Sequence, residues 1–363
     1  MNKMLFLISL VAASMVVSCG ASNGGNNPVD SGGDGGDTDA GTTGSADGGP
    51  VGEGGGNAIQ RVYVVMMENN GASSVYGNTA DCPYINNTLM ATYGYAGAAT
   101  ANHSNYTDDV ASTTPSEPHY IWIEAGTNVL SDHTFATDAD PSAGNSSTST
   151  KHLATLMKTA NITWMSYQEG LDSTTGACPL SNDAAMASSF AVRHQPFSYF
   201  TDVSGLSKTN AYCIAHTKPY SALAADLASN AVAQYNFITP NLCHDMHVQG
   251  CGTQTASQKR QAGDTWLANN LPALISDVSD HHGIIFIAWD EPEGGNDAPF
   301  LIVGPNLKSA GYKSTVAYTH TSITKSVQQI FKLTPADGVA WLGHAGDPGV
   351  NDFTDFFKPA SFP

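Results

Sequence analysis

Two runs of the chain, Val62-Tyr63-Val64-Val65-Met66-Met67 and Ile284-Ile285-Phe286-Ile287-Ala288-Trp289, are apolar at every position. A half-buried strand alternates apolar and polar residues. A run without alternation needs both faces covered, the condition of a central strand in a parallel sheet flanked by helices. Each run also stops at a polar pair, Glu68-Asn69 after the first and Asp290-Glu291 after the second. Open α/β sheets bind ligands at the carboxyl ends of their strands, so the two pairs mark a shared site at one edge of the sheet.

The rest of the body alternates in the same way. Strand-like runs lie near 61–67, 162–167, 234–238, 284–289 and 299–303; helical patterns lie near 85–93, 117–125, 150–159, 220–229, 258–278 and 320–332. The alternation predicts an α/β fold, three layers deep, with a mostly parallel central sheet between helices. Long stretches rich in Ser, Thr, Asn, Gly and Asp, at 127–149, 171–190 and 242–256, are the kind of loop that builds or covers a site. No internal repeat divides 58–363, which reads as one catalytic-size domain.

The N-terminal segments are of another kind. Lys3, an apolar run from Leu5 to Val17 and then Ser18-Cys19 read as a secretory signal, too short to span a bilayer comfortably. Val16-Val17-Ser18-Cys19 resembles a lipobox, which makes Cys19 the lipidated first residue of an exported protein held at the bacterial outer membrane or cell surface; an ordinary cleaved signal is the alternative. Residues 20–57 have no aromatic residue and no basic one, and are expected to act as a flexible tether. A chain of that length reaches about 30–35 Å.

The whole chain carries a formal charge of −18; the tether holds six of the acids and the signal one lysine, leaving −13 on 58–363. Nucleic-acid binding depends on Lys and Arg displacing counterions, so a nucleic-acid partner is not expected. An anionic substrate would need local positive charge, which bound metal ions can supply. Of the cysteines beyond Cys19, Cys243 and Cys251 bracket a short loop that a disulfide would pin, Cys178 and Cys213 form a second candidate pair, and Cys82 is left over. No Cys/His spacing matches a zinc finger.

Chemistry-bearing residues cluster where strands and helices begin or end. Glu68 and Asn69 offer a carboxylate and an amide oxygen, both suited to a hard divalent cation. Ser116, in Pro115-Ser116-Glu117-Pro118-His119-Tyr120, stands where a helix cap belongs; at the same place the positive helix end would favour an anion bound to a nucleophilic hydroxyl. Asp245 and His247 alternate after the strand near 234–238, so in an extended segment they point the same way. Asp290 and Glu291 emerge from a buried strand, where adjacent acids repel unless a cation lies between them. His320 precedes an amphipathic helix, where capping is the competing role.

Taken in order, an acidic strand end, a serine at a helix start, Asp-x-His, an acidic pair and a histidine, this chain resembles the alkaline phosphatase superfamily over most of 58–363. More narrowly it is similar to the bacterial and fungal phosphoesterase family of acid phosphatases and phosphatidylcholine-type phospholipases C. The stretches that carry the likeness are VVMMEN at 64–69, PSEPHY at 115–120, ITWMSYQEG at 162–170, VRHQPFSYF at 192–200, FITPNLCHDMH at 237–247, IIFIAWDEPEGG at 284–295 and YTHTSITKSVQQIF at 318–331.

The resemblance implies an alkaline-phosphatase-like fold and a divalent metal cofactor, one ion or two. It further implies that Glu68, Asn69, Asp290 and Glu291 hold a metal against Ser116, the nucleophile position. Asp245, His247 and His320 would form a second metal site or bind phosphate and assist the leaving group, with Asn69, His194 and His320 facing the substrate. The chain departs from the family pattern at Thr114 and His119, where relatives carry His and Asn, and in having Asp245-x-His247 and Asp290-Glu291 where two-metal relatives have Asp-x-x-x-His and Asp-His. A sulfatase is excluded because Cys-x-Pro-x-Arg is absent.

The function so implied is hydrolysis of phosphate esters, acid-phosphatase-like monoesters first, with membrane contact only through the lipidated N-terminus. The alternatives are a phospholipase C-type phosphodiesterase and a non-catalytic surface protein that keeps the scaffold for a structural cation.

Overall fold

The computed structural model describes residues 58–110, 115–171, 176–182, 189–247, 252–292 and 295–363. Ten strands occur among them. They are β1 (Val62–Met67), β2 (Gly94–Ala96), β3 (Tyr106–Thr107), β4 (Trp164–Gln168), β5 (Thr217–Pro219), β6 (Tyr235–Thr239), β7 (Ile284–Trp289), β8 (Phe300–Val303), β9 (Lys313–Ser314) and β10 (Tyr318–Thr319). Eight of them form one sheet in the order β5-β4-β6-β1-β7-β8-β2-β9, and β10 pairs with β3 apart from it. Pairing is parallel throughout the sheet except around β8, which runs antiparallel to β7 and to β2. The two wholly apolar runs are the central neighbours β1 and β7, buried at every position.

Strand alternation shows that helices cover both faces. Tyr63 points to one face, where its hydroxyl donates to Asp277 of the helix Ala256–Asp280 at 2.7 Å. Val64 points to the other, in register with Phe237 of β6, whose ring packs edge-on against Tyr120 of the helix Ser116–Ala125. The helices Ser116–Ala125, Leu153–Thr159 and His320–Phe331 pack on one another on this second face. The fold is therefore the expected three-layer α/β arrangement.

The five expected strands and six expected helices are present with ends displaced by a few residues. Two helices are compound: 85–93 opens with a π turn, Ile85–Leu89, and 220–229 opens with a 3-10 turn, Tyr220–Ala222. The strands β2, β3, β5, β9 and β10 were not expected. With two or three residues each they lack the length to show a period, and only their pairing in the folded chain makes them strands.

Cys178 and Cys213 are joined by a disulfide and Cys82 is a buried free thiol. The expected Cys243–Cys251 bridge involves Cys251, which lies outside the described residues, as do the signal and the tether. Among the described residues no helix is long and apolar enough to cross a membrane.

A buried ionic cluster fixes the far end of the helix Ser116–Ala125. His152, with no exposed surface, lies between two carboxylates: Nδ1 is 2.9 Å from Glu124 Oε1 and Nε2 is 3.0 Å from Asp202 Oδ1. Burial alone would lower its pKa, but hydrogen bonds and charge from Asp202 and Glu124 outweigh it and raise the imidazole to about 9. The folded value exceeds the unfolded one of about 6.5. The cluster's contribution is thus complete below pH 6.5 and lost as pH rises through about 9. Replacing His152 by Ala leaves the buried Glu124 with the Ala154 amide but no opposite charge, and is expected to cost about 3 kcal/mol at pH 6 and clearly less at pH 9.5. Urea unfolding at the two pH values checks this; an equal loss at both would show that packing on Phe200, not charge, is what His152 supplies.

Candidate active site

The β1–β7 register decides the centre of the site. Met67 pairs with Trp289, and Asp290 N–H donates to the Met67 carbonyl at 3.0 Å, so the next residues on each strand, Glu68 and Asp290, are neighbours on the same face. That face is the one covered by the helix Ser116–Ala125. Both carboxylates are fully buried.

Glu68 gathers side chains from three other segments. Its Oε2 accepts from Ser116 Oγ at 3.2 Å and lies 3.1 Å from His247 Nδ1. Its Oε1 accepts from the Tyr120 hydroxyl at 2.6 Å and lies 3.1 Å from His194 Nε2, which makes no hydrogen bond. The Tyr120 and His194 rings stack with centroids 4.8 Å apart. The backbone amide of Glu68 donates to the Asp245 carbonyl at 2.7 Å, and Asn70 ties the same loop down through the Glu68 and Met246 carbonyls.

Asn69 occupies the turn out of β1 with φ 28°, a left-handed conformation that asparagine tolerates. Its amide N–H donates to Asp290 Oδ1 at 2.9 Å and its Nδ2 to Glu291 Oε1 at 2.8 Å. Glu291 Oε2 lies 3.7 Å from His119 Nε2, and the His119 and His320 rings are 5.8 Å apart. His320 is held by the Tyr106 ring, stacked at 5.4 Å, with Nδ1 3.3 Å from the Tyr106 hydroxyl. All nine residues singled out from the sequence, Glu68, Asn69, Ser116, His194, Asp245, His247, Asp290, Glu291 and His320, thus lie along one edge of the sheet.

Two capping alternatives left open by the sequence are not taken, and one expectation is corrected. Ser116 does not cap its helix: Pro115 holds the cap position, Ser116 is the first helical residue, and its hydroxyl turns to Glu68 instead. His320 does not cap either, because Thr319 and Ser322 form a capping box ahead of it. The segment carrying Asp245 and His247 is a turn and not an extended strand; Met246 has φ 78° and the His247 amide donates to Asp245 Oδ1 at 2.8 Å. The two side chains are aligned by that local bond, not by strand alternation.

Charge in the site is unevenly compensated. Glu68 is held below the usual carboxylate range, against its own burial, by the His194 and His247 imidazoles and the Tyr120 hydroxyl. Burial and then the Glu68 charge push Asp245 and Asp290 well above that range, with Glu291 adding to Asp290. Burial and Glu68 raise Glu291 to about 7. Burial lowers His194 to about 3 and His320 to about 4, leaving both rings neutral. His247 is raised because its contact with Glu68 and the Asp245 charge outweigh burial.

Among the described residues no three His, Cys, Asp or Glu side chains meet in a ready coordination geometry. Several buried polar atoms of the site nevertheless have no hydrogen-bond partner: Asn69 Oδ1, Asp245 Oδ2, Asp290 Oδ2 and His320 Nε2. Buried carboxylate and amide oxygens in that state, beside mutually repelling acids, are the donor chemistry of a hard divalent cation.

A family model described as Phosphoesterase family matches residues 98–334, a stretch that takes in every singled-out residue except Glu68 and Asn69. The chain belongs to the phosphoesterase family. It is 24% identical over 281 residues to a phosphatidylinositol-3-phosphatase of Mycobacterium tuberculosis, covering 77% of this chain and 79% of that one. It is 28% identical over 263 residues to an acid phosphatase of Aspergillus niger, covering 69% of this chain and 55% of the relative, and 26% identical over 227 residues to one of Aspergillus fumigatus, covering 61% and 46%. The phosphoesterase thus spans about half the length of these fungal relatives.

Among solved structures it is similar to a protein in the alkaline phosphatase superfamily from Vibrio parahaemolyticus, with a TM-score of 0.47 and 10% identity over 76% of this chain and 69% of that one. It is also similar to alkaline phosphatase from the Antarctic bacterium TAB5, with a TM-score of 0.39 and 10% identity over 77% and 99%. The phosphoesterase is a hydrolase acting on phosphate esters.

Sequence reasoning passed over Tyr120 and Asn70. Tyr120 lies four residues after Ser116, so helical spacing puts both on one face of the helix. That spacing was the available signal. Asn70 follows the polar pair directly and shows no pattern that separates it from an ordinary loop residue.

Proposed function

We propose that this phosphoesterase is a metal-dependent phosphomonoesterase with Ser116 as its nucleophile. The observation that carries the reading is the hydrogen bond of Ser116 Oγ to Glu68 Oε2, made at a helix N-terminus where a capping role was open and is not taken. Glu68, Asn69, Asp290 and Glu291 would hold the cation, whose chemistry is to neutralise the clustered acids and favour the ionised serine.

The chain's own groups do the rest. Ser116 Oγ forms a bond to phosphorus as the bond from phosphorus to the ester oxygen breaks, and its proton is released to solvent water, with Glu68 Oε2 orienting the hydroxyl. His247, whose contact with Glu68 raises its pKa against burial, gives a proton to the departing oxygen. Water then attacks the phosphoserine, releasing inorganic phosphate and restoring the hydroxyl. Positioning carries most of the barrier reduction, since phosphoryl transfer asks little covalent chemistry of a protein. The positive end of the helix Ser116–Ala125 faces the charge that develops on the phosphoryl oxygens.

The names of the relatives, phosphatases all, support monoesters over diesters. Assays in parallel on an aryl phosphate, on phosphatidylinositol 3-phosphate and on phosphatidylcholine are expected to release phosphate from the first two and no headgroup from the third. Headgroup release without monoester turnover would make the enzyme a phospholipase C-type diesterase instead. Failure of every substrate with every divalent ion, while adding one still raises Tm, would leave only a metal-binding surface protein. The Cys19 lipobox and the tether support export and anchoring at the cell surface; Cys19→Ala is expected to release the phosphoesterase into the medium.

A further inference from the structure

The helix that carries Ser116 begins without a local cap. Pro115 holds the cap position and makes no side-chain hydrogen bond, and Pro118, in the first turn, has no N–H to offer. Of the two residues after the serine, only Glu117 therefore presents an amide hydrogen at the positive end of the helix. That amide is occupied. It donates to Oδ1 of Asp138, 21 positions further along the chain, at 3.0 Å.

Asp138 reaches in from the surface. Residues 136–140 are all exposed, and the Asp138 side chain keeps 37% of its surface open to solvent. Its second oxygen, Oδ2, lies 3.4 Å from Nε of Arg193, the residue before His194, and that Nε is buried without a hydrogen bond. One carboxylate thus bridges an amide beside Ser116 and a guanidinium beside His194. Amides at a helix start and guanidinium groups are the donors with which proteins hold phosphate. The main chain next to Asp138 is anchored, since the Ala139 carbonyl accepts from the Tyr199 hydroxyl at 3.0 Å and from Asn145 Nδ2 at 2.9 Å. The movement open to Asp138 is therefore a rotation of its side chain into water.

We infer that Asp138 is an internal competitor for the phosphoryl group: its carboxylate holds the Glu117 amide and faces Arg193 in the free enzyme, turns away when a phosphate ester binds and returns as inorganic phosphate leaves. The inference rests on Ser116 being the nucleophile, because a phosphoryl group bonded to Ser116 Oγ sits at the same helix end. Two anions placed on the same donors repel one another. A site that is open for only part of the time binds more weakly by that fraction, so Asp138 sets both substrate affinity and the ease of product release. A purely structural cap would do neither.

Inhibition of aryl-phosphate hydrolysis by inorganic phosphate, measured on the full chain supplied with manganese, tests it. Asp138→Ala removes the competing carboxylate and is expected to lower both Ki for phosphate and KM by about 10-fold, the worth of one charge-assisted hydrogen bond, with kcat changed less. Asp138→Asn keeps an acceptor for the Glu117 amide but not the charge, and a fall of about 3-fold is expected. Asp140→Asn removes an equal charge two residues away on the exposed segment and is expected to leave both constants within about 2-fold of the wild type. Unchanged or raised Ki in the Asp138 variants would make Asp138 a helix cap and nothing more. An equal fall in Asp140→Asn would show general charge repulsion in place of occupancy, and either result overturns the inference. If the alanine variant does not fold, the comparison of Asp138→Asn with Asp140→Asn decides. Full activity in Ser116→Ala, a protein in which position 138 is untouched, would sink the reading of the nucleophile instead.

Discussion

Ser116→Ala is expected to lose on the order of 10⁴–10⁶-fold in kcat on an aryl phosphate, the scale on which removal of a catalytic serine acts. The fold is expected to remain. The hydroxyl makes one hydrogen bond, 3.2 Å long, and its loss costs about 1 kcal/mol at most. Alanine is also a good residue for the first turn of a helix. Loss of activity with an unchanged Tm therefore separates a nucleophile from a structural serine. Retained activity would move the nucleophile to Ser112, Thr113 or Thr114, which lie outside the described residues.

Asp290→Asn is expected to separate stability from activity in the opposite sense. Asp290 is fully buried beside Glu68 and Glu291, and burial with those two charges pushes its pKa well above the usual range. A carboxyl whose folded value exceeds its unfolded value stabilises fully below the unfolded pKa of about 4 and loses that contribution as pH rises through the folded one. Glu291, raised to about 7, acts in the same direction. The metal-free wild type should thus become less stable from about pH 4 to 7, and the metal should reverse the trend by supplying the missing charge.

An amide at position 290 can still accept from the Asn69 and Glu291 N–H groups, yet it carries no charge to repel its neighbours. Metal-free Asp290→Asn is therefore expected to melt no lower than metal-free wild type at pH 7, while its kcat/KM falls about 10²–10³-fold or more. The rise in Tm on adding the metal should shrink as well. A variant that melts well below the wild type without metal would show that Asp290 holds the fold together, and that the acids do not repel.

The order of the chain made much of this legible. Wholly apolar runs in β1 and β7 required a central parallel sheet, and their polar ends located the site before any contact was known. Tyr120 was equally available from helical spacing, but spacing alone does not say that the face it shares with Ser116 points at Glu68. Asp245 and His247 show the opposite case. Their alternation suggested an extended strand, whereas a positive φ at Met246 and a side-chain bond to the His247 amide aim the two groups from a turn.

Local pattern therefore determined the class of fold, the edge of the sheet that bears the site and the residue types that meet there, because periodicity and strand termination are properties of neighbours in the chain. Only the tertiary structure decided which partners each group meets. The turning of Ser116 to Glu68 and the crowding of Asp290 against Glu68 join residues up to 222 positions apart, as Asn69 and Glu291 are. Contacts at that distance depend on strand register and helix packing, and the energy of a buried charge depends on everything that surrounds it.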